Sequence, residues 1–126
     1  MKIDPSAKIV IVDDAVHMLI ALRRTLTKLG FSHILEATNG KEALAILEHN
    51  LDTALIISDW NMEPVDGMAL LEAIRADHRL RDLPFILITA DPAANSRDKA
   101  MAAGAQVILT KPFTAEALRL AISGLS

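Results

Sequence analysis

The sequence of 126 residues predicts a doubly wound α/β fold, in which a parallel β-sheet is covered by helices on both faces. Short apolar runs rich in β-branched residues recur along the chain, and such runs are typical of parallel strands buried on both sides. The segments between these runs repeat apolar residues at helical spacing. Five strand patterns therefore alternate with five helical ones, and right-handed crossovers place the helices on both faces of the sheet.

The apolar runs predict where the strands lie. The four clearest runs are Ile9–Val12, Ala54–Ile57, Phe85–Ile88 and the shorter Val107–Leu109. The run Ile34–Leu35 is the weakest of the five, which predicts a strand at the edge of the sheet. Each run is too short for a typical helix and of ordinary length for a strand.

Helical periodicity indicates the elements between the strands. Apolar residues recur at helical spacing from Val16 to Leu26, from Ala43 to Leu47 and from Leu70 to Ile74. The last helix is predicted from about Thr114 to Ser123. The methionines expected to fill gaps in the core are Met62, Met68 and Met101.

Residues that favour helix ends agree with this division. The expected end residues are Asn39 paired with Glu42, Asp66 and Thr114 at N-termini, and Gly30 and Gly104 at C-termini. The pair Asn39-Gly40 could also form a hairpin turn. Because the residues after it follow a helical period, we favour a helix at this position.

Composition limits the functions that the chain can have. Its length fits one domain spanning residues 1–126, and 52% apolar residues are enough to build one core. A net charge of −3 provides no basic surface, so nucleic acid is not an expected partner. No segment approaches the roughly 18 consecutive apolar residues of a membrane span, and the first residues do not resemble a signal peptide. We therefore expect a cytoplasmic protein without a membrane partner, and the absence of cysteine is compatible with a reducing cytoplasm.

Polar residues lie at the ends of four predicted strands. Asp13 and Asp14 follow the first strand, Asp59 follows the third, Thr89 closes the fourth and Lys111 follows the fifth. Parallel strands bring their carboxyl ends to one edge of the sheet, where doubly wound folds bind ligands. A single aspartate after a strand is most often a helix cap or a turn residue. The combination of acids, hydroxyl and ammonium at four strand ends instead indicates a functional site.

These side chains are suited to phosphoryl chemistry with a divalent cation. Clustered carboxylates repel one another unless a cation offsets their charge, and Mg²⁺ prefers carboxylate and phosphate oxygens. Without histidine or cysteine beside the acids, the site is a poor match for zinc. A carboxylate can take up a phosphoryl group as an aspartyl phosphate. Lys111 would then neutralise charge, and the Thr89 hydroxyl would donate a hydrogen bond to a phosphoryl oxygen.

Five motifs together resemble the receiver domain of bacterial response regulators. They are Val12-Asp13-Asp14, Ser58-Asp59-Trp60-Asn61-Met62, Asp66-Gly67, Thr89-Ala90 and Lys111-Pro112-Phe113. The resemblance covers nearly the whole chain and implies a flavodoxin-like sheet with strand order 2-1-3-4-5. It also implies a phosphoacceptor of two-component signalling, whose partners are a sensor histidine kinase or phosphotransfer protein and a downstream protein target. Such a domain catalyses its own phosphorylation and dephosphorylation.

The resemblance implies a role for each site residue. Asp59 would be the phosphoacceptor. Asp14 and Asp59 would bind Mg²⁺ directly, together with the backbone carbonyl of Asn61, and Asp13 would assist through water. The residues that would contact the phosphoryl group are Thr89 and Lys111. Two positions would tune the lifetime of that group, Asn61 and Asp91, and the peptide bond Lys111–Pro112 would be cis.

Three features depart from the family pattern. Glu63 holds the position of a usual proline, with Pro64 following it. Ile108 holds the position at which many members carry an aromatic residue that rotates inward on phosphorylation, so the switch from Thr89 must act differently here. The last helix, on the face that the family uses for partners, is short.

Two other functions have to be weighed against a receiver. One is a magnesium-dependent phosphatase that forms an aspartyl phosphate with small substrates, but such enzymes usually carry a second acid where this chain has Asn61. The other is a flavin or nucleotide module, for which the chain lacks a glycine-rich phosphate loop. Multiple turnover of a generic phosphate ester would identify the phosphatase.

Overall fold

The computed structural model describes residues 3–90 and 94–125, which form a five-stranded parallel sheet and five helices. The strands are β1 (Lys8–Val12), β2 (His33–Ala37), β3 (Leu55–Asp59), β4 (Phe85–Thr89) and β5 (Val107–Thr110). The helices are α1 (Val16–Lys28), α2 (Gly40–Glu48), α3 (Gly67–Ala76), α4 (Ala94–Ala103) and α5 (Ala115–Ser123). The sheet order is β2-β1-β3-β4-β5, which confirms the predicted topology and the predicted edge strand.

The sheet separates two apolar cores, because successive side chains of a strand point to opposite faces. On one face, Val10 and Ile56 pack with residues of α2, α3 and α4. On the other face, Ile9 and Ile57 pack with residues of α1 and α5. All four of these strand side chains are fully buried, and each contributes roughly 1.5 to 3 kcal/mol through that burial.

The predicted helix caps are confirmed. The side chain of Asn39 accepts a hydrogen bond from the backbone N–H of Glu42 at 2.9 Å, so α2 begins at Gly40 and the hairpin alternative is wrong. Asp66 accepts from the backbone of Ala69 at 2.8 Å, and Thr114 caps α5 in the same way. These bonds satisfy backbone donors that the first turn of a helix leaves unpaired.

Glycine ends two of the helices, as predicted. Gly30 has φ of 104° and Gly104 has φ of 108°, both in the left-handed region that side chains other than glycine disfavour. The expectation that Met101 fills a core gap is wrong, because its side chain is 53% exposed. Its neighbour Ala100 faces the core, and adjacent helical residues point about 100° apart. In the described ranges, no helix has the length and apolar character of a membrane span.

Candidate functional site

The sheet brings all five predicted site residues to one edge. Asp59 ends β3, Thr89 ends β4, and Asp13 and Lys111 directly follow β1 and β5. These four strands are neighbours in the sheet, so their carboxyl ends lie side by side. The chain order reverses between β1 and β3, which is where doubly wound sheets form their ligand crevice. Asp14 lies next to Asp13 at that point.

Lys111 contacts two of the acids. Its Nζ atom lies 3.0 Å from Oδ1 of Asp59 and 3.6 Å from Oδ2 of Asp13. The first distance is that of a charge-assisted hydrogen bond, and the second is too long for one. The carboxylates of Asp13, Asp14 and Asp59 each offer an oxygen within 4.8 Å of the others. Three acids and one ammonium group therefore share the site.

Backbone hydrogen bonds fix the residues that carry these side chains. The backbone N–H of Ala15 donates to Oδ1 of Asp13 at 2.9 Å, which orients that carboxylate. The N–H of Lys111 donates to the carbonyl of Thr89 at 2.8 Å, so the segment after β5 stays beside the end of β4. The N–H of Trp60 donates to the carbonyl of Ile88 at 2.9 Å and continues the ladder past Asp59.

Burial sets the electrostatics of the site. Asp13, Asp59 and Thr89 are 1%, 5% and 3% exposed, whereas Asp14 is open to solvent. Burial raises the pKa of Asp13, and the charges of Asp59 and Asp14 add to this, while the Ala15 N–H and Lys111 act in the opposite direction. For Lys111, burial lowers the pKa, but the hydrogen bond and charge of Asp59, with the charge of Asp13, outweigh it and raise the pKa above its ordinary value.

One buried oxygen indicates that the cluster suits a cation. Oδ2 of Asp13 is inaccessible to solvent and has no hydrogen-bond partner in the part of the chain that the structure describes. The ammonium group of Lys111 lies 3.6 Å from this oxygen, too far for a hydrogen bond, so its buried charge is only partly offset and a divalent cation beside it would lower the remaining cost. The cluster offers carboxylate oxygens and neither imidazole nor thiolate, which fits Mg²⁺ better than zinc.

A shallow cavity extends from the acidic cluster toward the segment between β3 and α3. It has a volume of about 410 Å³. The residues that line it are Asp14, Asn61, Met62, Glu63 and Asp66.

The peptide bond Lys111–Pro112 is cis, as predicted, and the bond Glu63–Pro64 is cis as well, which the sequence did not indicate. Asp91 lies outside the described residues.

Ile108 lies beneath α4 and not at the site itself. It is 8% exposed and belongs to the core on the α2, α3 and α4 face. Its β5 position pairs with Leu87 of β4, two residues before Thr89. An aliphatic residue therefore fills the place at which the family pattern expects a rotating aromatic side chain.

Two glycines near the site have structural roles that were not predicted from the sequence. A Cβ atom on Gly67 would lie 2.3 Å from the carbonyl oxygen of Asp59, and one on Gly40 would lie 2.6 Å from the carbonyl oxygen of Val65. Both distances are far below contact, so only glycine fits. A glycine at the first position of a helix, as both are, was the available signal.

Comparisons with known proteins agree with this geometry. The sequence model of the response regulator receiver domain matches residues 9–123. The chain is 38% identical to the chemotaxis protein CheY1 of Helicobacter pylori over 112 residues, which cover 89% of this chain and 90% of that protein. It is 39% identical to the chemotaxis protein CheY of Pseudomonas aeruginosa, with the same coverage. The solved structure of chemotaxis protein CheY4 of Vibrio cholerae has a TM-score of 0.88 at 28% identity and covers 96% of this chain and 99% of its own.

Proposed function

The chain belongs to the response regulator receiver domain family, and on that premise we propose that Asp59 accepts a phosphoryl group whose presence controls binding to a downstream protein. The donor is the phosphohistidine of a sensor histidine kinase or a phosphotransfer protein. The observation that carries the proposal is the pairing of Asp59 with Lys111 at 3.0 Å, inside a cluster of three acids at the switch point of the sheet. The chain spans about 90% of each relative named above.

The transfer step is a displacement at phosphorus. An Oδ atom of Asp59 attacks the phosphoryl group, the new O–P bond forms, and the P–N bond to the donor histidine breaks. The electron pair of that bond stays on the imidazole nitrogen, and the ring leaves as neutral imidazole because its other nitrogen carries a proton in the donor. A second displacement by water breaks the O–P bond, releases inorganic phosphate and restores the Asp59 carboxylate.

The side chains around Asp59 would position and neutralise the transferred group. Lys111 already lies at hydrogen-bond distance from Asp59 and needs only a small shift to reach a phosphoryl oxygen. Thr89 is buried at the end of the neighbouring strand, and its hydroxyl would donate to a second oxygen. These groups act in a partly water-excluded site, where such interactions are strengthened.

The acidic cluster fits Mg²⁺ because its donors are carboxylate oxygens and because Oδ2 of Asp13 is buried without a hydrogen-bond partner among the described residues. Asp14, Asp59 and the backbone carbonyl of Asn61 would hold the ion directly, and Asp13 would hold it through water. When bound, Mg²⁺ would neutralise charge on the phosphoryl oxygens.

The test uses Trp60, the single tryptophan of the chain, which lies directly after Asp59. Its fluorescence is titrated with Mg²⁺ and then with beryllium fluoride, a mimic of the phosphoryl group, in the wild type and in Asp59→Asn. We expect the wild type to respond to both and the variant to lose the response to the mimic. A variant that responds like the wild type contradicts the assignment of Asp59.

A second measurement separates a receiver from a phosphatase. With acetyl phosphate, Asp59 should take up one phosphoryl group per cycle as acetate leaves. Steady multiple turnover of an unrelated phosphate ester would instead favour the magnesium-dependent phosphatase. Asp82→Asn serves as the matched control for Asp59→Asn, since Asp82 is an exposed acid near the amino ends of the strands, opposite the site.

A further inference from the structure

We propose that Glu63 sets the specificity of the site electrostatically, strengthening Mg²⁺ binding and slowing the reaction with small anionic phosphodonors. The inference rests on the proposed function, because it concerns the same site. Glu63 lies four residues after Asp59 and lines the cavity beside Asp14 and Asn61, the side on which the cation would be held.

The charge around this cavity has one sign. Three of its five lining residues are acids, and none of the five is basic. Lys111 is not among the lining residues, since its ammonium group lies between Asp59 and Asp13. An ion that approaches Asp14 from the solvent therefore meets carboxylates before it meets a neutralising group.

Of these three acids, Glu63 is the one whose carboxylate neither caps a helix nor is assigned to the ion. Asp66 is already engaged, because it caps α3 by accepting a hydrogen bond from Ala69 at 2.8 Å, where the helix dipole offsets its charge. Asp14 is assigned to the ion itself. Glu63 is exposed and, within the described ranges, makes no hydrogen bond or ion pair. Its full charge therefore contributes to the potential at the cavity mouth.

The expected effect is modest and depends on salt. Exposed charges within a Debye length, roughly 8 Å at physiological ionic strength, change each other's binding by a few fold. For Glu63→Gln we expect Mg²⁺ to bind about threefold more weakly at low salt and acetyl phosphate to react about threefold faster when Mg²⁺ is saturating. Charge reversal in Glu63→Lys should enlarge both changes, and high salt should shrink them.

The experiment measures Mg²⁺ affinity by calorimetry and the rate of phosphoryl uptake from acetyl phosphate in both variants. Asp82→Asn removes an exposed acid near the amino ends of the strands, opposite the site, and should leave both quantities unchanged. Unchanged Mg²⁺ affinity in Glu63→Gln, an unchanged uptake rate, or equal effects in Asp82→Asn would each overturn the inference. If the wild type takes up no phosphoryl group, the proposed function fails, and the Mg²⁺ titration alone decides the role of Glu63.

Discussion

The Nζ atom of Lys111 lies 3.0 Å from Oδ1 of Asp59, so the proposed phosphoacceptor is already paired with the cation that would contact its phosphoryl group. The same ammonium group lies 3.6 Å from Asp13 and is the one basic group in contact with the acids of the cluster among the described residues. Lys111 therefore competes with a bound cation for the same carboxylates.

Replacing Lys111 should strengthen metal binding while weakening the response to phosphorylation. In Lys111→Met, the acids lose their ammonium partner, and we expect Mg²⁺ to bind about tenfold more tightly, as measured by calorimetry. The Trp60 response to beryllium fluoride should decrease, because a charge-assisted bond to the mimic is lost. Lys8→Met is the control, since the Nζ atom of Lys8 lies 2.9 Å from Oδ1 of Asp52 and Asp52 does not belong to the acidic cluster. Weaker Mg²⁺ binding in Lys111→Met would contradict the competition.

Asp13 should destabilise the metal-free protein. Its Oδ2 atom is buried without a hydrogen-bond partner in the described part of the chain, and such an oxygen costs about 1 to 3 kcal/mol. Asp13→Asn should therefore raise the free energy of unfolding by about that amount in chelator at neutral pH, as measured by urea denaturation. Saturating Mg²⁺ should stabilise the wild type more than the variant. A variant less stable than the wild type in chelator would contradict this account.

Gly67 should not tolerate a side chain. The Cβ atom of an alanine there would lie 2.3 Å from the carbonyl oxygen of Asp59 and 2.9 Å from Cα of Trp60, and backbone atoms cannot move aside cheaply. We expect Gly67→Ala to lower the free energy of unfolding by about 3 kcal/mol. Gly124→Ala is the matched control, because its nearest contact is 3.5 Å, an ordinary van der Waals distance. Equal stability of the two variants in thermal or urea unfolding would contradict the close approach.

Phosphorylation should shift the isolated domain only in part. Because Ile108 provides no aromatic switch, the shift depends on the bonds that Thr89 and Lys111 make to the phosphoryl group. Converting a two-state equilibrium from 1:99 to 99:1 requires roughly 5.5 kcal/mol. A neutral bond from Thr89 contributes about 1 kcal/mol, and a charge-assisted bond from Lys111 contributes about 1.5 to 3. We therefore expect NMR spectra saturated with beryllium fluoride to show a partial shift that a partner protein completes. Full conversion of the free domain would refute this prediction.

The ion pairs of Arg79 should make part of the free energy of unfolding decrease at acidic pH. Side-chain and backbone hydrogen bonds from Arg79 lower the pKa of Asp77 to about 2. A carboxyl whose folded pKa lies below its unfolded value near 3.9 stabilises the fold above pH 4 and loses that contribution as pH falls toward 2. The stability difference between wild type and Asp77→Asn should therefore shrink across that window in urea denaturation measured at successive pH values. A difference that does not change between pH 5 and pH 2 would contradict it.

Local sequence patterns were enough to predict the strands, most caps and the positions of the site residues. Continuous apolar runs such as Ile9–Val12 need cover on both faces, which only a parallel sheet between two layers of helices provides. Met101 shows where the pattern was insufficient, because α4 has too few apolar residues to reveal which side faces the core.

The positions of acids, a hydroxyl and an ammonium group after successive strand patterns were enough to predict that they meet at one edge of the sheet, because parallel strands align their carboxyl ends. How those groups divide their contacts follows from the packing of the folded chain: Lys111 contacts both Asp59 and Asp13, Oδ2 of Asp13 has no hydrogen-bond partner among the described residues, and Glu63 lines the cavity beside Asp14. These relationships join residues far apart in the chain, and packing between strands and loops sets their distances. No local pattern of residues encodes such distances.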